Sequence, residues 1–525
     1  MLPYLRETQS AAKKYSLVFR GLNYGEGTQD GEFADTYNLS TSKYPCITQR
    51  AARIRLQQYS DKAMSIHAKG ELFVVDGTKV YYGDKLIEGL TVTEGKKQMA
   101  SIGNYVVIFP DKKYYIVPND DNPNGEVGDM EIVYKNANLT FTSNTITTDG
   151  DDFKFQKGDN IKITGCSESE NDKEIVVRSV SGKELTFDDN SFTACENEAS
   201  VTLAREVPDL DFICESNYRL WGTKGNTIYS SKFSDPLNFA NFEALASDSY
   251  AIEVSSEGDF TGCIAYSNYI CFFKENTLHK LYGTKPANFQ VVTASVYGVQ
   301  SGSERSMHIV NEQLIYKGVG GIYSFTGGVP ELISGNFGNN RYSEAVACCD
   351  GEIYYVSMKQ GDKWHLFTYD VAKGIWLRED ETQAVDMAFH DGKVHFIDEK
   401  GNLFFIDKES PKRDVTIDTT SGAVRSDIEW GATFCTIHET VGERKGYSKF
   451  LLRLDLSAGA WLSVDIKTDI DTQWRQVYTT HNAKAKTFSI PIMPTRCDSI
   501  DIRLRGKGEC VVKAFIREFT VGSDV

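Results

Sequence analysis

"SNYRLWGTKGNTIYSSKFSDPLNF" (Ser216–Phe239) gathers an arginine, a tryptophan, an aspartate and several hydroxyls into one short stretch. Such a mixture reads either as the wall of an active site or as one unit of a repeating architecture. The flanking chain favours the repeat. Before it stand "MSIHAKGELFVVDGTKVYYGDKLIEG" (Met64–Gly89) and "MASIGNYVVIFPDKKYYIVP" (Met99–Pro118). After it come "FTGCIAYSNYICFFKENTLHKLYG" (Phe260–Gly283), "SERSMHIVNEQLIYKGVGGIYSFTGGVPELIS" (Ser303–Ser334), "YSEAVACCDGEIYYVSMKQGDKWHLFTYDVAKGIWLRED" (Tyr342–Asp380) and "AVDMAFHDGKVHFIDEKGNLFFIDKE" (Ala384–Glu409). In each, a strand meets a short polar turn such as SN, DG or NE, an aromatic strand follows, and a second turn leads to another strand ending in Tyr or Phe. Units of about forty residues, counted as seven with six or eight also compatible, have the length and grammar of four-stranded propeller blades. On this reading Trp221 and Tyr229 are packed blade residues, while Arg219 and Asp235 belong to turns or the rim.

Bulk composition agrees with an all-β chain. The 525 residues exceed one compact core, 41% are hydrophobic, and 27 Tyr and 29 Phe stand against only 12 Pro. A formal charge of −16 argues against tight nucleic-acid binding, which needs phosphate-neutralising Lys and Arg, but suits a wall past which DNA must slide. The first twenty residues have no apolar core of a secretory signal, and the longest apolar runs, such as Tyr105–Phe109, are strand-sized, so no membrane insertion is expected. Eleven cysteines without CxxC spacing read as buried free thiols.

The expected domains are an N-terminal arm (1–60), a propeller (61–126 and 207–410), an inserted small β-barrel of SH3-like type (127–206), and a C-terminal antiparallel β-sandwich (411–525). The arm lacks periodicity, and its "KYSLVF" segment could supply an outer propeller strand or reach a neighbouring subunit. The insert shows strand-turn patterns in "DFKFQKGDNIKITG" and "KEIVVRSVSGKELTF". "DKESPKRDVTIDTTSG" (Asp407–Gly422) reads as a linker. Beyond it Leu452, Leu454 and Leu456 alternate with Arg453 and Asp455, and Ile500, Ile502 and Leu504 with Asp501, Arg503 and Arg505, the period-two pattern of strands with one wet face.

The search for chemistry yields no catalytic, cofactor-binding or metal residue. HExxH fails because "HETVG" at His438 lacks the second histidine, and no GxSxG, Walker loop, strand-linked GxGxxG or sialidase-type Asp box occurs. His67, His308 and His390 fall near the first turn of three units, where other units carry Tyr218, Tyr269 or Cys349; they read as structural. Asp235, Asp259 and Asp386 are glycosidase-type carboxylates only in the sense that so many acids always supply a pair. The basic runs "QRAARIR" (Gln49–Arg55), "GERKG" (Gly442–Gly446) and "RLRGKG" (Arg503–Gly508) read as solvated strand faces, or as contacts for DNA or an acidic partner.

Several segments carry a family resemblance: "GLNYGEGTQDGEFADTYNLSTSKYPCITQRAARIR" (Gly21–Arg55), "PDLDFICESNYRLWG" (Pro208–Gly222), "SKFSDPLNF" (Ser231–Phe239), "GDFTGCIAYSNYICFFKENTLHKLYGTKP" (Gly258–Pro286), "KWHLFTYDVAKGIWLRED" (Lys363–Asp380) and "PTRCDSIDIRLRGKGECVVKAF" (Pro494–Phe515). The chain resembles propeller-bearing tail proteins of phages and prophages of Gram-positive bacteria, of the nozzle or hub type. That resemblance implies a virion protein without catalytic residues or cofactor, assembled in the bacterial host cytoplasm. Its implied partners are other copies of itself in a ring, sixfold favoured, the portal and adaptor, other tail proteins, and genomic DNA passing without sequence-specific contact. The rival readings are a receptor- or carbohydrate-binding tail protein, a propeller enzyme acting on polysaccharide, and a cellular scaffold.

Overall fold

A computed structural model describes residues 11–120, 122–409, 413–418, 422–439, 443–481, 486–493 and 496–522. Among them the fold is all-β: strands are joined by turns and four short 3-10 turns, with no α-helix and hence no helix long and apolar enough to cross a membrane. Among the described residues seven propeller-type blades occur, six of them four-stranded antiparallel meanders taken in chain order and the seventh completed by a strand from the N-terminal segment. The chain divides into two compact units, one of residues 60–307 and 317–319, the other of residues 1–59, 308–316 and 320–525.

The first unit holds blades 1 to 4 and the insert. Blade 2 shows why its sequence reads as it does. Its strands are Gln98–Ile102, Tyr105–Phe109, Lys113–Ile116 and Glu126–Asp129. Val106 and Ile108 pack with Phe73 and Val75 of blade 1, whereas Val107 and Phe109 pack with Ile213 and Leu220 of blade 3. Both faces are buried, so "YVVIF" is a continuous apolar run rather than an alternating one. Blades 3 and 4 repeat the arrangement around Trp221, which is 2% exposed and meets Phe289 at 5.1 Å and Phe272 at 6.3 Å. Tyr229 is partly buried on the opposite side, against the blade 2 residues.

Between blades 2 and 3 the insert forms a four-stranded and a five-stranded sheet around Phe141, Ile146, Phe155, Ile163, Leu185 and Leu203. Its start differs from the expected 127. Glu126–Asp129 is the outermost strand of blade 2, paired residue for residue with Lys113–Ile116. Its composition, polar and glycine-containing, is that of an edge strand and matches the insert it precedes, so no shift in composition marks the boundary.

The second unit holds blades 5 to 7 and the sandwich. Blade 7 comprises Ala384–His390, Lys393–Asp398 and Asn402–Asp407, and its fourth strand is Ala52–Gln58, antiparallel to Asn402–Asp407. The N-terminal segment is therefore not a free arm, and "KYSLVF" does not supply the propeller strand. Ala12–Ser16 instead pairs with the last sandwich strand, Cys510–Val521, in the register Ala12↔Phe519. Glu32–Tyr37 pairs with Glu429–Phe434, and Ile47–Gln49 with Cys510–Val521. The physical reason is edge protection: each of these chain ends would otherwise leave a row of unpaired N–H and C=O groups. Arg517, 1% exposed, fastens the join by donating to Glu439 (2.6 Å), Asp30 (2.7 Å) and Ser16 (2.6 Å).

The expected linker is also structured where it is described. Arg413–Asp418 and Gly422–Asp427 form a hairpin beside Ala52–Gln58, extending the blade 7 sheet; residues 410–412 and 419–421 lie outside the described residues. The sandwich follows the predicted alternation. Leu452, Leu454, Leu456, Ile500, Ile502 and Leu504 all enter the core, together with a ring cluster in which Phe434 meets Phe33 at 5.0 Å and Phe515 at 5.6 Å.

Candidate functional site: a cleft beside the inserted module

The opening stretch continues into a long connection between the third strand of blade 3, Thr227–Ser230, and the fourth, Tyr250–Glu253. So long a connection has many carbonyl groups that need donors. Arg219 supplies them. It is 1% exposed and donates to the carbonyls of Ser231 (2.7 Å), Asp248 (2.6 Å) and Ala246 (2.8 Å). The expected rim residue is thus an internal fastener, chosen because one guanidinium offers five donors in a fixed fork.

Asp159 of the insert plays the complementary part. Its side chain is fully buried and accepts from Arg205 (3.2 Å), Asn238 (2.7 Å), Asn241 (3.1 Å) and the backbone N–H of Gln156 (2.8 Å). Arg205 comes from the insert's last strand, Asn238 and Asn241 from the blade 3 connection. Nothing in "QKGDNIK" distinguishes this aspartate from a turn former, so the sequence carried no signal for it.

These two clusters position the walls of a cleft of ≈ 1120 Å³ between blades 2 and 3 and the insert. Tyr105, Tyr114, Glu126, Asp151, Lys232 and Asp235 are among its lining residues. The Tyr105 and Tyr114 rings lie 5.7 Å apart, tilted by 57°. The Tyr105 phenol is pushed up by partial burial, then by the nearby Asp235 and Glu126 carboxylates. Tyr114 is pushed up by burial, then by Glu126. Asp235 therefore faces a concave, ring-bearing, acid-rich surface, while its Oδ1 also accepts the Leu237 N–H at 3.1 Å. Two ring faces with a few polar groups suit the holding of a ligand or partner segment.

The other sequence candidates are dispersed. Neither Asp259 nor Asp386 lines the cleft. Asp259 acts electrostatically on Lys274 near blade 4, and Asp386 is buried in the first strand of blade 7, where it accepts the Met387 N–H at 2.9 Å. His67 has Nε2 2.6 Å from the Ser101 hydroxyl, and His308 donates to the Ala347 carbonyl at 2.8 Å; burial pulls both imidazoles down to about 4. His390 lies 5.8 Å from the His395 ring. Among the described residues no group of His, Cys, Asp and Glu is arranged to hold a metal ion.

Buried histidines make stability pH-dependent, His279 and His395 as well as His67 and His308. His279 and His395 are 1% and 5% exposed, and burial pulls each down to about 4. Both ring nitrogens of His279 meet hydroxyls, Thr293 at 2.9 Å and Ser256 at 2.8 Å. An unfolded histidine titrates near 6.5, so between about pH 6.5 and 4 the unfolded chain binds protons that the folded chain does not. Stability is full above that window and falls as pH drops through it, by roughly 1–2 kcal/mol per ring at pH 5. The urea midpoint is expected to be lower at pH 5 than at pH 7, with a smaller drop in His279→Gln. A drop of equal size in the variant would show that His279 is not responsible.

The basic runs are mostly spent inside the protein. Arg50 forms a bidentate pair with Asp414 (2.8 and 2.7 Å), and Arg53 lies between Glu379 (2.7 Å) and Asp380 (2.6 Å). In "GERKG", Gly442 lies outside the described residues, and Lys445 is fully buried with its ammonium on the Asp498 carbonyl (2.8 Å). The expectation of a solvated face fails for Arg50, Arg53 and Lys445, whose charges meet carboxylates or a carbonyl, whereas Arg444 is exposed. "RLRGKG" presents Arg503 and Arg505 on an open sheet face.

No family model matches the chain, and no curated protein matches it by sequence. Among solved structures it is similar to BamB from Moraxella catarrhalis, at 10% identity and TM-score 0.35 over 69% of this chain and 98% of that one. It is similar to the phage phi92 endosialidase at 11% identity and TM-score 0.23 over 80% of this chain and 74% of that one. The exo-β-1,3-galactanase of Phanerochaete chrysosporium gives 7% identity and TM-score 0.23 over 58% of this chain and 94% of that one.

Proposed function

We propose that this chain is a non-catalytic structural component of a bacteriophage tail, a nozzle or hub subunit assembled as a ring around the DNA-ejection channel below the portal and adaptor. The observation that carries the reading is the internal use of charge. Arg50, Arg53, Arg205, Arg219 and Arg517, the groups that chemistry or nucleic-acid binding would present, each bind a carboxylate or backbone carbonyls within the fold. Such fasteners make sheets rigid, which a conduit needs, and the chain's formal charge of −16 keeps DNA from sticking. The sequence resemblance points the same way. Sixfold symmetry is favoured, with other copies of this chain, the portal, the adaptor and other tail proteins as partners, and the virion tail as its place.

Mass spectrometry of purified virions tests the assignment, with the chain expected in several copies per particle. Native mass measurement of the isolated assembly is expected to give one closed stoichiometry. Absence from mature virions would sink the proposal. A second reading, a tail-associated receptor- or carbohydrate-binding protein, is favoured by the Tyr105–Tyr114 cleft with its flanking carboxylates.

A further inference from the structure

A second concave surface lies on the outer face of the sandwich. Strands Glu32–Tyr37, Glu429–Phe434, Ile500–Lys507 and Trp461–Thr468 lie side by side in one sheet. Alternation sends Trp430, Ala432, Leu504 and Val464 into the core. The register then aligns Tyr37, Gly431, Arg505 and Ser463 in one outward row, and Asp35, Thr433, Arg503 and Asp465 in the next. Asp465 is 1% exposed and accepts from Arg505 twice (2.7 and 3.1 Å), from Arg503 (3.0 Å) and from Ser463 (3.1 Å). Two guanidiniums thus share one carboxylate, leaving one positive charge in excess. The neighbouring charges cancel as pairs: Arg378 with Asp35 (2.9 and 2.8 Å) and Lys507 with Glu429 (3.3 Å). Arg503 is further held 4.5 Å from the Trp474 ring.

Arg503, Arg505, Arg378 and Asp35 line a groove of ≈ 460 Å³ that also has Tyr37 and Trp461 in its walls. Tyr37 is 40% exposed, although a tyrosine ring on a sandwich face could have been covered. Gly431 sits in the groove, and a Cβ there would meet nothing nearer than 3.4 Å. Its backbone does not require glycine, so the position could bear a side chain that would project into the groove. Arg505 spends Nε and Nη2 on Asp465, and its side chain is 45% exposed.

We propose that this groove binds a saccharide unit bearing an anionic group, a carboxylate or a phosphodiester. The sugar ring lies against Tyr37 and Trp461, and the anion meets the preorganised Arg503–Arg505 pair through charge-assisted hydrogen bonds. The rest of the chain is acidic, so long-range attraction contributes nothing and recognition depends on these short contacts. The inference adds a ligand to the scaffold and stands independently of the ring and of the tail assignment.

Calorimetric titration of the full chain with trigalacturonic acid, the methyl phosphodiester of glucose 1-phosphate and cellotriose tests it. One of the two anionic probes is expected to bind, which identifies carboxylate or phosphodiester as the recognised group, with cellotriose weaker by at least about tenfold. Gly431→Val, which fills the groove, and Tyr37→Ala, which removes a wall, are each expected to weaken binding by roughly tenfold or more at an unchanged unfolding midpoint. Failure of both anionic probes to bind the unaltered chain, equal binding of cellotriose, or full binding by both variants would each overturn the proposal.

Discussion

Arg53→Ala is expected to destabilise the protein by about 3–5 kcal/mol, because it strands two buried carboxylates at once. Side chains of Arg53 and Glu379 are 9% and 7% exposed, and that of Asp380 is 15% exposed. Burial works to raise the Asp380 pKa, but Arg53 and the Thr382 donors outweigh it and hold the group at about 2. For Glu379 burial prevails over Arg53 and its pKa is raised. With the guanidinium gone, both acids lose their hydrogen-bonded counter-charge inside the fold, only the field of Arg50 remaining at Glu379, and their native pKa values rise. A group whose native pKa exceeds its unfolded value destabilises least at low pH, so the penalty in Arg53→Ala is expected to shrink from pH 8 to pH 5. Urea unfolding at the two pH values measures this. A penalty below about 1 kcal/mol at pH 8 would mean that the pair is solvated and worth no more than a surface contact. Because Arg53 sits in the strand that completes blade 7, exchange of its backbone amides should quicken in the variant.

Asp159→Ala is the second large effect, again about 3–5 kcal/mol, since it leaves Arg205 buried without its anion and two asparagine side chains without their acceptor. The loss should be local. Hydrogen exchange is expected to show reduced protection in the insert and in the connection around residues 231–249, with the sandwich strands unchanged. The walls of the Tyr105–Tyr114 cleft are held by the same contacts, so any ligand of that cleft would bind more weakly too. Uniform loss of protection across the whole chain would contradict the role assigned to Asp159 as a local fastener.

These two residues also show where sequence reasoning stopped. Arg53 belongs to "QRAARIR" and Asp159 to "KGDN", strings that on the surface of any protein are solvated charge and turn. Burial of such a group depends on a partner supplied from elsewhere: Glu379 and Asp380 lie more than 300 positions from Arg53 along the chain. The same limit explains the first sixty residues, whose strands pair with Asn402–Asp407, Glu429–Phe434 and Cys510–Val521. They lack periodicity because Arg50 and Arg53 occupy buried positions that a hydrophobic pattern would assign to apolar side chains. It explains Arg219 as well, a rim residue by its letters and a core donor by its contacts. The cleft was half legible: Asp235 could be named, but Tyr105 and Glu126, which give it its setting, come from a different blade.

By itself the sequence determined most of the blade strands and where the blade meanders recur, because aromatic strands and polar turns repeat along that part of the chain. It also determined the alternation of the sandwich, since one wet face writes itself into every second letter. Only the tertiary structure decided which distant strand completes each sheet, which charges are spent as fasteners, and where two concave surfaces open. Those outcomes rest on pairings between residues hundreds of positions apart, and a hydrogen bond or ion pair of that kind leaves no period in the chain that forms it.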